Sequence, residues 1–382
     1  MASIKECLSE FARVARHPEE QLKKYRSQGL KAIGCTPYFA PEELIEAAGM
    51  VPFGLWGKAG VPKKAREYFA SFYCSLAQMN MEMALDGSLD GLSAVLFSVL
   101  CDTLRPASQN FKVGADIPML FLAHPQNRRT GYGVTYYAQL LENLCTELEK
   151  ISDRPIGEED IRRAIRIYNE NRREKRRFCT LCAEKAGLIS AVDRHLVMKA
   201  SYFMRKEEHS RLLRELNQAL EAAAVPDFSG FRVVTSGILL DSEKLLQLFD
   251  QYQLAIVGDD LAQESRGIRV DAAEEGDPIR ALALQFSRQN QDPLLYDPTI
   301  YSRSSYIQRL IRDSHADGLV QIMMVFCDPE ELEFPDLSRA VSDAGASLLK
   351  LSYSHEMMDF GQAETSLETF AAMLSEKKEM GT

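Results

Sequence analysis

A basic surplus is missing from these 382 residues: 45 Lys and Arg face 55 Asp and Glu, for a formal net charge of −10. Nucleic-acid binders normally carry the opposite balance, so no nucleic-acid partner is expected. Long apolar runs are missing too. The longest reach about nine residues, against the roughly twenty that cross a bilayer as a helix, so no membrane partner is expected either. The opening stretch MASIKECLSEFARVARHPEEQ carries acidic residues and lacks an apolar signal core, which leads to the expectation of a cytoplasmic protein. No Walker loop is present, and Gly131-Tyr132-Gly133 lacks the third glycine of a dinucleotide fingerprint, so ATP use by this chain is not expected. The six histidines are scattered without metal-ligand spacing. No solenoid repeat and no low-complexity tract is visible.

What is present is an α/β rhythm. Buried-strand signals at 31–35, 50–56, 93–100 and 117–123 alternate with helical patterns, and a second set at 231–239, 254–257, 318–326 and 347–353 does the same. This predicts an α/β fold of two Rossmann- or flavodoxin-like parallel-sheet domains with an intervening helical layer. The divisions read as 1–131 for the first α/β domain, 132–227 for the helical layer and linker, and 228–382 for the second. Residues 1–30 read as one helix, and the helix after Cys327 as starting at Asp336.

Two strands end in the same way. GLSAVLFSVLCDTLRP ends its apolar run at Cys101-Asp102, and GLVQIMMVFCDPEE ends its run at Cys327-Asp328, each with a proline close behind. Ligands in open α/β sheets sit beyond the carboxyl ends of the strands. Cys74 precedes a third helix. Eight cysteines in a reducing compartment read as thiols or metal ligands before disulfides. Cys74, Cys101 and Cys327 are therefore candidate thiolate ligands of an iron–sulfur cluster, although they lack ferredoxin spacing, and spacing alone leaves ordinary buried thiols as the alternative. Asp102 and Asp328 read as helix caps. Asp259 and Asp260, with Ser265 and Arg266 behind them, read either as polar contacts in the second crevice or as capping and ion-pairing residues. Cys179 and Cys182 form a CxxC with no preceding strand and read as exposed or half-buried thiols. The basic run 172–177 reads as a solvated helix face or a dock for CoA phosphates, and His355 as structural or surface.

Several stretches carry a resemblance over nearly the whole chain: PYFAPEELIEAAGMVPFGLWG (37–57), FYCSLAQ (72–78), CDTLRPASQNFK (101–112), VVTSGI (233–238), DDLAQESR (259–266), LLYDP (294–298), FCDPEE (326–331) and DFGQAET (359–365). In these the chain resembles the 2-hydroxyacyl-CoA dehydratases, and among them the shorter, β-type subunits acting on (R)-2-hydroxyglutaryl-CoA. It departs from many relatives in having Glu364 or Ser366 where they carry arginine.

The resemblance implies that Cys74, Cys101 and Cys327 bind one [4Fe-4S] cluster, that FMN or another flavin accompanies it, and that Cys35 approaches it at most marginally. It implies three partners: a homologous α subunit, an ATP-dependent iron–sulfur activator protein and an acyl-CoA substrate. The implied reaction removes water from (R)-2-hydroxyglutaryl-CoA to give glutaconyl-CoA through a ketyl radical, with this chain's cluster relaying the electron. Lactoyl, isocaproyl or aryl-lactoyl thioesters are the alternative substrates. A homodimeric electron-transfer protein, or a CoA-ester reductase relative, is the alternative class.

Overall fold

The structure is a computed structural model that describes residues 3–295 and 303–380; of the stretch 294–298, residues 296–298 lie outside them. Strands β1 (Ala32–Cys35), β2 (Val51–Gly54), β3 (Ala94–Val99) and β4 (Met119–Ala123) form one sheet in the order β2-β1-β3-β4. Strands β5 (Phe231–Gly237), β6 (Leu254–Leu261), β7 (Gly318–Met324) and β8 (Ser347–Tyr353) form a second in the order β6-β5-β7-β8. Every pairing is parallel. Both sheets thus share one order, and each reverses direction next to its first strand, between β1 and β3 and between β5 and β7.

The strand residues explain their places. β3 and β7 are buried along their whole length, as central parallel strands covered on both faces must be. Pro52 cannot donate to a ladder, and it lies in the edge strand β2.

Helices α1 (Ile4–Arg16), α2 (Pro18–Ser27), α3 (Glu42–Ala47), α4 (Ser75–Leu85) and α5 (Leu104–Gly114) belong to the first half. The amino-terminal pattern is two helices, because Pro18 starts α2 and His17 lies between them. The middle of the chain forms α6 (Gly131–Ser152), α7 (Glu158–Glu184), α8 (Ala191–Ala200) and α9 (Lys206–Ala222). Then follow α10 (Glu243–Gln251), α11 (Pro278–Ser287), α12 (Arg303–Asp313), α13 (Asp328–Asp343) and α14 (Gly361–Met380). α7 packs against α3, α9 and β6, so it touches both halves. One apolar core runs through both sheets, and a small second cluster fills the far side of the second sheet, where α12 and α13 cover Val234 and Leu319.

Candidate functional site

Each of the three candidate cysteines stands at or just before the amino end of a helix. Cys74 is the N-cap of α4, Cys327 is the N-cap of α13, and Cys101 lies between β3 and α5. Helix amino ends favour negative charge through unpaired N–H groups. Burial pushes the Cys74 thiol up to about 11, against the amides of Ala77 and Leu76, which favour its ionised form. Burial also raises Cys101, with the amides of Leu104 and Thr103 opposing it. Cys327 is raised by burial and then by the Glu330 carboxylate, while the Glu330 amide acts the other way.

These three sulfurs sense one another. Ionised Cys101 opposes ionisation of Cys74, and both oppose that of Cys327. The structure therefore gathers residues that are far apart in sequence into one electrostatic neighbourhood, at the carboxyl ends of β3 and β7. All three are partly exposed. Cys35 is elsewhere: it is buried at the end of β1, and its charged neighbours are Glu42 and Lys206.

The turn that delivers Cys327 is unusual. Phe326 has φ 65, a left-handed conformation uncommon for an aromatic residue. Tyr38 and Phe39, just past β1, also have positive φ, at 84 and 48. Such backbone persists only where surrounding contacts hold it. Here the contacts are visible: the Tyr38 carbonyl accepts from Ser98 Oγ, and the Tyr38 hydroxyl accepts from Arg266 Nη1 at 2.7 Å.

Arg266 is the hub behind the cysteines. It is 2% exposed and also reaches Asp260, Asp292 and Glu330. Arg303 joins from the first turn of α12, through Asp260 at 2.7 Å, Ser236 at 2.7 Å and Glu330 at 3.1 Å. Burial alone would raise the Asp260 carboxyl, yet the guanidiniums of Arg266, Arg303 and Arg269 hold it far below the ordinary carboxylate range. Asp259 pairs with Arg194 and accepts from the Ser265 amide. The ion-pairing reading of Asp259 and Asp260 therefore describes the structure.

Of the other expectations, the structural role of His355 and the half-burial of Cys179 hold, and the rest are corrected in whole or in part. Asp102 and Asp328 are exposed and cap nothing, because Thr103 and Cys327 hold the N-cap positions. α13 starts at Asp328 and not at Asp336. Pro329 falls in its first turn, where proline is tolerated, and Pro335 is accommodated inside it. The basic run is a solvated face only in part: Arg173 is exposed and Arg176 and Arg177 half-buried, but Arg172 and Lys175 are both 7% exposed. Its arginines are taken by acids of this chain, Glu43 by Arg172, Glu274 by Arg173, Asp271 by Arg176 and Glu221 by Arg177, which speaks against a phosphate dock. Cys182 is buried and Cys179 half-buried, with burial pushing the Cys179 thiol up to about 12. His355 is buried and pins two segments together. Its Nδ1 lies 2.9 Å from Ser75 Oγ, and its Nε2 donates to the Trp56 carbonyl at 3.0 Å.

Sequence reasoning missed the cavity beside this site. It has a volume of ≈ 140 Å³ and opens between the residues after β1 and β2 on one side and those after β6 on the other. Tyr38 and Arg266 line it, so it adjoins the ion-pair hub.

Residues 37–374 match the family described as 2-hydroxyglutaryl-CoA dehydratase, D-component. The chain belongs to that family. It is 46% identical over 378 residues to the beta subunit of (R)-2-hydroxyglutaryl-CoA dehydratase from Acidaminococcus fermentans, covering 97% of this chain and 100% of that one. Identity is 38% over 377 residues to lactoyl-CoA dehydratase subunit beta of Anaerotignum propionicum, covering 98% and 100%. It is 36% over 376 residues to the (R)-phenyllactyl-CoA dehydratase beta subunit of Clostridium sporogenes, again covering 98% and 100%. The two parallel sheets are thus the frame of a dehydratase-family subunit.

Proposed function

We infer that this chain is the β-type subunit of a 2-hydroxyacyl-CoA dehydratase. With a homologous α subunit it converts (R)-2-hydroxyglutaryl-CoA to glutaconyl-CoA and water. The substrate assignment rests on the relative that acts on that thioester, which at 46% stands above the lactoyl and phenyllactyl relatives at 38% and 36%.

The observation that carries the chemistry is the gathering of Cys74, Cys101 and Cys327 at helix amino ends. The donor set fits an iron–sulfur cluster: three soft sulfur ligands, partly exposed, with amides disposed toward added negative charge. Among the described residues no three His, Cys, Asp or Glu side chains suit a single ion. Thiolates on different irons of a cluster need not converge on one point. Bound there, a [4Fe-4S] cluster would supply one-electron transfer toward the α subunit, the first electron coming from an ATP-dependent activator.

This chain's own residues then have two tasks. Arg266 and Arg303 neutralise Glu330, which would otherwise set an unpaired carboxylate beside Cys327. Phe72 and Phe326, 66% and 46% exposed beside Cys74 and Cys327, give the α subunit an apolar rim to cover. A flavin finds no such fit in the adjoining cavity, whose ≈ 140 Å³ suits a molecule of about benzene's bulk.

The test is to purify the chain anaerobically with its α-type partner, add activator and ATP, and assay a panel of 2-hydroxyacyl-CoA thioesters. Turnover of (R)-2-hydroxyglutaryl-CoA should lead the panel at least tenfold in kcat/KM. Equal rates on all thioesters would overturn the substrate assignment, and isolation as a self-paired dimer with no α-like chain would overturn the partnership.

A further inference from the structure

The cavity beside the ion-pair hub has a divided wall. α7 and the residues after α8 give it polar side chains, among them Tyr168, Lys175 and Ser201. α6 and α11 give it apolar ones, Leu141, Leu282 and Phe286. The charged groups on its wall can be paired off one by one. Glu42 is taken by Lys206 at 2.9 Å, Glu43 by Arg172 at 2.8 Å, and Glu264 by Arg194 and His195. Arg266 is taken by Asp260, Asp292 and Glu330.

One group is left over. Lys175 is 7% exposed, and among the described residues its Nζ has a single hydrogen-bond partner, Ser201 Oγ at 3.4 Å, and no carboxylate at ion-pair distance. That hydroxyl is itself committed to the Met198 carbonyl at 2.7 Å. An ammonium carries three donors, so at least two have no partner among the described residues, on a side chain that lines the cavity. A buried cation without a counter-charge is costly. Burial, followed by the nearby charge of Lys206, accordingly brings the Lys175 amine down to about 7.

We propose that the cavity is a binding site for a small aliphatic carboxylate, with Lys175 as its charge partner and the Leu141–Leu282–Phe286 wall receiving its alkyl end. The volume sets the size class. A cavity of about 150 Å³ holds benzene, so the ≈ 140 Å³ here admits acids of about four to six heavy atoms. An incoming carboxylate supplies the missing negative charge and accepts the uncommitted N–H groups of Lys175. The site does not depend on what the three cysteines bind, since none of them lines it.

Calorimetric titration of the purified α-type/β-type complex with propionate tests this, with propionamide as the neutral ligand of the same shape. Propionate should bind once per β-type chain and at least tenfold more tightly than propionamide. Lys175→Met should weaken propionate at least tenfold, and Leu282→Phe, which fills the apolar end without touching a charge, should also weaken it. Absence of saturable propionate binding overturns the proposal, as does equal binding of the two ligands or unchanged binding in Lys175→Met. Should Lys175→Met fail to fold, the acid-against-amide comparison on the unaltered protein still decides.

Discussion

Arg266 Nη2 donates to Glu330 Oε1 at 2.7 Å, across 64 residues of sequence, and so ties the segment after β6 to the first turn of the helix that Cys327 caps. The same guanidinium reaches Tyr38, on the segment after β1. One buried side chain therefore fixes parts of both sheets' carboxyl edges relative to a candidate ligand.

Removing that side chain should be costly. Arg266→Met leaves Asp260, Glu330 and Asp292 short of a counter-charge in a buried place, and loss of one partner from such a network costs about 3–5 kcal/mol. Arg266→Lys should recover little, because an ammonium cannot present a planar fork to four acceptors at once. Urea denaturation of the three proteins measures this, and a loss below about 1 kcal/mol for Arg266→Met would show that the hub is dispensable for folding.

Gly57 should tolerate no side chain. Its φ is 75, and a Cβ there would meet His355 Nε2 at 2.6 Å. Gly57→Ala should cost about 1–3 kcal/mol from the backbone alone, with the ring clash added. His355→Ala in the same chain should return the steric part and leave the backbone part, so a double-mutant cycle on melting temperatures should show coupling. Strict additivity would contradict the clash.

Stability should fall with acid before the carboxylates titrate. His209 accepts from Asn171 Nδ2 on its Nδ1 at 3.0 Å and donates from Nε2 to the Val197 carbonyl at 3.0 Å, an arrangement that satisfies the neutral ring. Burial brings His209, and also His124, from 6.5 down to about 3. Below 6.5 the unfolded chain takes up protons that the folded chain refuses. The contribution is therefore complete above that pH and is lost as pH falls toward 3, by up to about 1.4 kcal/mol per pH unit for each ring. His209→Gln should flatten the slope between about pH 6 and about pH 5 by that amount, read by denaturation at each pH. An unchanged slope would mean that the ring is protonated when folded.

Much of the architecture was legible in the sequence. The β-branched and apolar runs at β3 and β7, each ending in Cys-Asp, marked one interior strand of each sheet. Local signals failed where tertiary contacts decide. The helix after Cys327 reads as starting at Asp336, yet α13 begins at Asp328, before Pro329 and Pro335. The run 172–177 reads as solvated, yet α7 packs against α3, α9 and β6, and Arg172 and Lys175 go inside while Arg173 stays exposed. Of the hub, only the local pair of Asp260 and Arg266 left a trace; Arg303 and Glu330 did not, since Glu330 lies 64 residues from Arg266 and no spacing announces it.

The central claim is that Cys74, Cys101 and Cys327 hold one cluster together. Anaerobic iron and sulfide analysis of the unaltered chain and of Cys74→Ala, Cys101→Ala and Cys327→Ala tests it most directly, with Cys179→Ala as the control. The account predicts that each of the three loses most of its iron and sulfide while the control keeps its full complement. Full iron in all three variants would contradict it.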